Sequence, residues 1–166
     1  MFKLLLSVII IFTGCTSLLM NKETNNIFKE KYHYGILSET IIKNHDGYPW
    51  FNKNYEKYKP NTEKIDTSLI NKLSIKIFMG TWCHDSKREV PRFYKILNTI
   101  NYDQKNLQIV GLKKNKKGYF NDYSNYNIKN TPTFIFFQDA KEIGRIVEKP
   151  KGSLELQIQN IQKKIQ

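Results

Sequence analysis

The sequence predicts an α/β domain built on a central mixed β-sheet, and three observations lead there. Ser74 to Met79 alternates apolar and polar residues as a strand does, and an amphipathic helix pattern follows soon after. Leu107 to Leu112 is a short apolar run, so a strand–helix–strand unit with a parallel pair opens the domain. Thr133 to Gln138 and Ile143 to Val147 flank the polar turn Asp139-Ala140-Lys141-Glu142, the pattern of an antiparallel hairpin.

Taken in order, the chain begins with Lys3, a nine-residue apolar run from Leu4 to Phe12, and Thr13-Gly14-Cys15. That run is far short of the roughly 20 residues a membrane-spanning helix needs, so residues 1–14 read as a signal peptide. Small residues ahead of Cys15 resemble the bacterial lipobox, although Phe12 stands where leucine is usual. The expectation is an exported lipoprotein of the cell envelope, held to the membrane by a lipid on Cys15. Residues 15–31 are polar and read as a tether.

An aromatic-rich extension follows over 32–66. Ile36 to Lys43 reads as a short helix, and His45-Asp46-Gly47 as a turn. Trp50, Phe51, Tyr55 and Tyr58 recur at helical spacing ahead of Pro60, which predicts a second helix. The main domain spans 67–166. Asp66 or Thr67 caps a short helix carrying Leu69, Ile70 and Leu73, which leads into the first strand. Ser86 to Ile100 is then a helix with Val90, Phe93, Tyr94, Leu97 and Ile100 on one side, interrupted by Pro91. Lys113 to Lys117 is a charged surface loop, and Tyr119 to Tyr126 holds a short helix. After the hairpin, Ser153 caps a final helix with Leu154, Ile158, Ile161 and Ile165 on one face. The order is βαβαββα, preceded by a helical extension.

The net charge is +12 and the isoelectric point near 9.6. Apart from Arg88, Arg92 and Arg145 the cations are lysines spread along the whole chain, without the basic clusters and stacking aromatics of a nucleic-acid binder. Nucleic acid is therefore not an expected partner. Only two cysteines are present, and with Cys15 lipidated Cys83 is the single remaining thiol. No His or Cys pair has metal-ligand spacing, so neither metal nor cofactor is expected.

The chemistry concentrates in Trp82-Cys83-His84-Asp85-Ser86. Cys83 falls between a strand and a helix, where unpaired backbone N–H groups and the helix dipole favour thiolate, the nucleophilic form. His84 stabilises a thiolate when protonated, whereas an Asp85 carboxylate next to the sulfur opposes one; the two are the tuning candidates. Trp82 is expected as an apolar wall. Ser86 stands three positions after the cysteine and is read as a hydrogen-bond donor to its sulfur.

These motifs resemble the thioredoxin family over roughly residues 67–166. Trp82 before the cysteine, Pro91 in the helix, Thr131-Pro132-Thr133 heading a strand, and the closing Gly144-Arg145-Ile146 and Ser153-Leu154 carry the resemblance together. It implies a thioredoxin-like fold with a cis Thr131–Pro132 bond close to Cys83. It also implies that Thr131 offers its backbone to an extended substrate while Pro132 holds the turn and keeps competing ligands from the sulfur. Two departures agree with each other. Ser86 replaces the family's second cysteine, and Ile77 stands where the family often buries an aspartate that serves that second thiol. The resemblance thus implies monothiol exchange through Cys83, with a protein disulfide or thiol as substrate and an external small or protein thiol as resolving partner. The competing reading is a peptide-binding or docking module that keeps the fold without redox turnover.

Overall fold

The computed structural model describes residues 27–29, 32–115 and 121–165. The expected signal peptide, Cys15 and most of the expected tether lie outside the described residues. A mixed six-stranded sheet runs in the order β1-β2-β4-β3-β5-β6. Its strands are β1 (Ile27–Lys29), β2 (Tyr32–Leu37), β3 (Ser74–Met79), β4 (Leu107–Gly111), β5 (Thr133–Gln138) and β6 (Lys141–Val147). Only β3 and β4 are parallel; β2–β4, β3–β5 and β5–β6 are antiparallel. The helices are α1 (Glu39–Asn44), α2 (Trp50–Lys57), α3 (Thr67–Ile70), α4 (His84–Thr99) and α5 (Leu154–Gln162).

The parallel pair and the closing hairpin are where the sequence predicts them. The extension differs. Tyr32 to Leu37 is a strand, and the helix expected over Ile36–Lys43 begins only at Glu39, where Ser38 Oγ accepts the Ile41 N–H at 3.2 Å. No alternation gives this strand away, because His33, Tyr34, Gly35 and Leu37 are all buried. Gly35 pairs with Gly111, and a Cβ on Gly111 would sit 3.1 Å from Tyr34 Cα and 3.0 Å from the His33 carbonyl oxygen. Glycine at that register is what lets β2 approach β4. The expected helix near 119–126 is a 3-10 segment over Asn121–Tyr126. Lys141 and Glu142 belong to β6, so the hairpin turn shrinks to Asp139 and Ala140, both at positive φ, the geometry that matches strand twist.

Buried side chains from all five helices join one cluster against Ile75, Ile77, Met79, Ile109, Phe134 and Phe136 of the sheet. On the opposite face Phe78, Val110, Leu112 and Ile135 are covered by Tyr126 and Ile128, at and beyond the end of the 3-10 segment. Residues 32–66 share the main core: Ile42 and Phe51 are fully buried in it, each worth about 1.5–3 kcal/mol by the area they remove from water.

A polar contact ties this extension to α4. Pro91 has no N–H, so the Lys87 carbonyl one turn earlier loses its ordinary helical donor. Asn54 of α2 replaces it, its Nδ2 donating to the Lys87 oxygen at 3.0 Å. Tyr58 clamps the other end of the extension by donating to the Glu155 carboxylate of α5 at 2.9 Å.

Candidate functional site

Strand β3 ends at Met79, and the chain turns through Gly80, Thr81 and Trp82 before α4 starts. The turn is tight: Cys83 N–H donates to the Gly80 carbonyl at 2.9 Å. Glycine is required at 80, since a Cβ there would come within 2.5 Å of the Trp82 ring. Trp82 is half-buried and anchored by its indole N–H, which donates to the Leu112 carbonyl at 2.9 Å. The ring is thereby fixed to the loop that follows β4.

Cys83 is the N-cap of α4, with extended backbone and no side-chain cap bond. Its thiol is free and half-buried. The Thr131–Pro132 bond is cis, and the Cys83 thiol donates to the Thr131 carbonyl with Sγ and oxygen 3.2 Å apart. Two segments separated by 48 positions in the chain thus meet at the sulfur. The turn is held from behind, where Glu148 N–H donates to the Pro132 carbonyl at 2.7 Å. In this arrangement the Thr131 carbonyl is occupied by the thiol.

Ser86 departs from expectation. Its side chain is fully buried, and its Oγ accepts the Gly80 N–H at 3.2 Å; among the described residues no hydrogen bond joins it to the sulfur. One turn into the helix, the hydroxyl oxygen accepts the orphan N–H of the preceding loop and so satisfies a buried backbone donor. Ile77 is fully buried on β3.

The two tuning candidates separate. His84 is 87% exposed and lies 3.7 Å from Asp85 Oδ1. The Asp85 carboxylate is paired with Arg88 at 2.7 Å, so its charge is balanced one turn up the helix. Arg88 also meets the buried Glu89 at 2.5 Å, and Arg92 reaches the same carboxylate at 3.3 Å. The hydrogen bond to Glu89, followed by the Glu89 and Asp85 charges, holds the Arg88 guanidinium charged against its partial burial.

Beside Trp82 a cleft of about 460 Å³ opens, lined by Tyr32, Gly47, Tyr48, Thr81, Trp82, Lys87 and Lys114. Sequence reasoning did not find it. Lys114 read as part of a solvated loop, and Tyr32, Gly47 and Tyr48 arrive through strand pairing and core packing of the extension. A second groove, of about 350 Å³, lies by Ser74 and Leu107, where β3 and β4 begin. It is at the other end of the strands from the thiol. Among the described residues no three His, Cys, Asp or Glu side chains converge as metal ligands.

A thioredoxin family profile matches residues 37–162. The TPR repeat-containing thioredoxin TDX of Arabidopsis thaliana is 31% identical over 88 residues, which is 53% of this chain and 22% of that relative. The chain therefore spans about a fifth of its length. Among solved structures, Fasciola hepatica thioredoxin is 18% identical with a TM-score of 0.41, covering 59% of this chain and 88% of its own. Mitochondrial thioredoxin 3 of Saccharomyces cerevisiae, in its oxidized form, is 19% identical with a TM-score of 0.40, covering 64% and 98%. The profile match takes in the extension from Leu37 on, the thiol loop, the Thr131–Pro132 turn and the closing helix, and it shows that this chain belongs to the thioredoxin family.

Proposed function

We propose that this protein carries out thiol–disulfide exchange with one thiol, Cys83, and depends on an external thiol to complete each turnover. The observation that supports this most is the pairing of a half-buried free sulfur at the start of α4 with a buried Ser86 where a resolving sulfur would stand. In the first step the Cys83 thiolate attacks one sulfur of a substrate disulfide. The substrate S–S bond breaks, its other sulfur leaves as a thiolate, and Cys83 is held in a mixed disulfide. A serine hydroxyl is not a nucleophile towards disulfides, so nothing within the site releases that adduct. An external thiol attacks Cys83 Sγ and expels the substrate's second thiolate; a second molecule of the external thiol then frees Cys83. The substrate gains two electrons, and two external thiols leave as one disulfide.

Insulin reduction by wild type, Cys83→Ser and Ser86→Cys, each with and without a small thiol, tests this. Wild type should turn over only when the thiol is supplied, and Cys83→Ser should be inactive under both conditions. Pre-reduced Ser86→Cys, with a second sulfur one turn away, should release one equivalent of reduced insulin without the thiol, its two sulfurs closing into a disulfide as they give up two electrons. Release of reduced insulin by pre-reduced wild type without added thiol, or an active Cys83→Ser, would overturn the mechanism; iodoacetamide labelling of Cys83 no faster than a model thiol would favour a docking module instead.

We also propose that the protein works outside the cytosol, tethered to a membrane by a lipid on Cys15. The support is the sequence pattern around Cys15, together with the value of an oxidising compartment for disulfide exchange. No helix among the described residues is long and apolar enough to cross a membrane. A lipid with several acyl chains, each gaining about 0.8 kcal/mol per buried CH₂, would hold firmly. Wild type should fractionate with membranes and Cys15→Ser should be released; equal release of both would refute the anchor.

A further inference from the structure

The cleft beside Trp82 is built from parts that the exchange chemistry does not use. Thr81 is 2% exposed, and its hydroxyl is buried without a hydrogen-bond partner among the described residues. Thr81 lines the cleft, but its closed-off hydroxyl leaves the polar chemistry of the cleft to its lysines. Lys87 and Lys114 line the same cleft from α4 and from the loop after β4. Among the described residues neither is in an ion pair, and no Asp or Glu lines the cleft to neutralise them. Tyr32, Tyr48 and Trp82 supply the walls.

Two cations and aromatic walls select a ligand with an anionic head and an apolar or aromatic body. A volume of about 460 Å³ suits a short peptide fragment or a small acid rather than a nucleotide chain. We propose that this cleft, which reaches Trp82 one residue before Cys83, is a carboxylate-binding site filled by an acidic group that belongs to an exchange partner. The shared chemistry is a carboxylate joined to an apolar group. Its source is either a small thiol carrying a carboxylate or an acidic side chain of a protein substrate. The purpose assigned to the cleft rests on the exchange reading above; carboxylate binding itself does not.

The cleft also joins the two parts of the chain. Tyr32, Gly47 and Tyr48 come from the extension, whereas Thr81, Trp82 and Lys87 come from the thiol loop and its helix. The extension thus contributes one wall of a cleft that reaches Trp82, the residue before Cys83, in addition to its share of the core.

The test uses the full chain carrying Cys83→Ser, which cannot exchange, so a failure of the redox mechanism leaves the binding result intact. Backbone amide resonances of Gly47, Thr81, Trp82 and Lys114 are followed by NMR during titration with four probes. These are glutathione, glutathione diethyl ester, the capped tripeptide Phe-Asp-Phe and its neutral Phe-Asn-Phe counterpart. The proposal expects saturable shifts with at least one acidic probe and binding about tenfold weaker for its neutral partner. Lys87→Gln with Lys114→Gln should weaken the acid about tenfold and leave the neutral probe unchanged, and raised salt should act in the same direction. Binding of glutathione alone assigns the site to a small thiol; binding of the peptide alone assigns it to a protein segment. Equal binding of acid and neutral partners, no shift with any probe, or lysine substitutions without effect would each overturn the proposal.

Discussion

The start of α4 and the start of α5 solve the same local problem in different ways. At α5, Ser153 turns its hydroxyl onto the helix and accepts the Leu156 N–H at 3.1 Å. Asp66 at α3 and Ser38 at α1 do likewise. At α4 the N-cap is Cys83, whose backbone is equally extended but whose side chain makes no cap bond and instead reaches the Thr131 carbonyl. Leaving a cap side chain out forgoes about 0.5–2 kcal/mol of helix stability. The site helix therefore gives up a stabilising device in order to present sulfur across the loop, and its stability comes from elsewhere. Val90, Phe93, Ile96 and Leu97 are fully buried, and Asn54 of the extension answers the carbonyl that Pro91 leaves without a donor.

Three perturbations sharpen this contrast. The largest effect is expected from Asn54→Ala, which strands the Lys87 carbonyl and should cost about 1–3 kcal/mol in urea unfolding. In a double-mutant cycle with Pro91→Ala, which restores a backbone N–H, that cost should shrink. A cost independent of residue 91 would break the link between the extension and the helix. Next come the two caps, which should move in opposite directions. Ser153→Ala should lower stability by about 1 kcal/mol and leave exchange untouched, whereas Cys83→Ser should raise stability by up to about 1 kcal/mol while abolishing exchange. If Cys83→Ser is strongly destabilised, the sulfur is a structural group and the contrast fails.

The smallest expected effect lies in the extension. His33 is buried and shares a 2.8 Å hydrogen bond between its Nδ1 and the Tyr48 hydroxyl. Burial first, and the His45 charge second, lower its pKa from the ordinary 6.5. In the pH range between these two values the unfolded chain binds the proton more readily, so stability is full above about pH 6.5 and falls as pH drops below it. The melting temperature should decline from pH 7.5 to 5.5, and less so in a His33→Gln variant. NMR should show His33 titrating below the ordinary 6.5; titration at or above that value would refute this account.

Much of the domain was legible because its signals are local. Ser74–Met79, the α4 pattern, Leu107–Leu112 and the caps at Asp66 and Ser153 each depend on a few neighbouring residues, and all recur in the structure. Cys83 could be singled out from its place between a strand and a helix. The strand at Tyr32–Leu37 could not be read, because burial on both faces erases the period-two alternation that marks a half-exposed strand. The contact between Ser86 and Gly80 is illegible for a related reason: which orphan N–H a hydroxyl oxygen accepts depends on how the preceding loop folds back.

By itself, then, the sequence determined the order of the elements, the position of the single thiol in the domain and the lack of a second sulfur at Ser86, since these follow from residue type and short-range periodicity. Tertiary structure decided what meets that thiol. The Thr131 carbonyl at the sulfur, Asn54 at the Lys87 carbonyl, and the joining of Tyr32, Thr81, Lys87 and Lys114 around one cleft all depend on contacts between segments distant in the chain. Such contacts leave no periodic trace, because sheet pairing and close packing select each partner only once the whole core has formed.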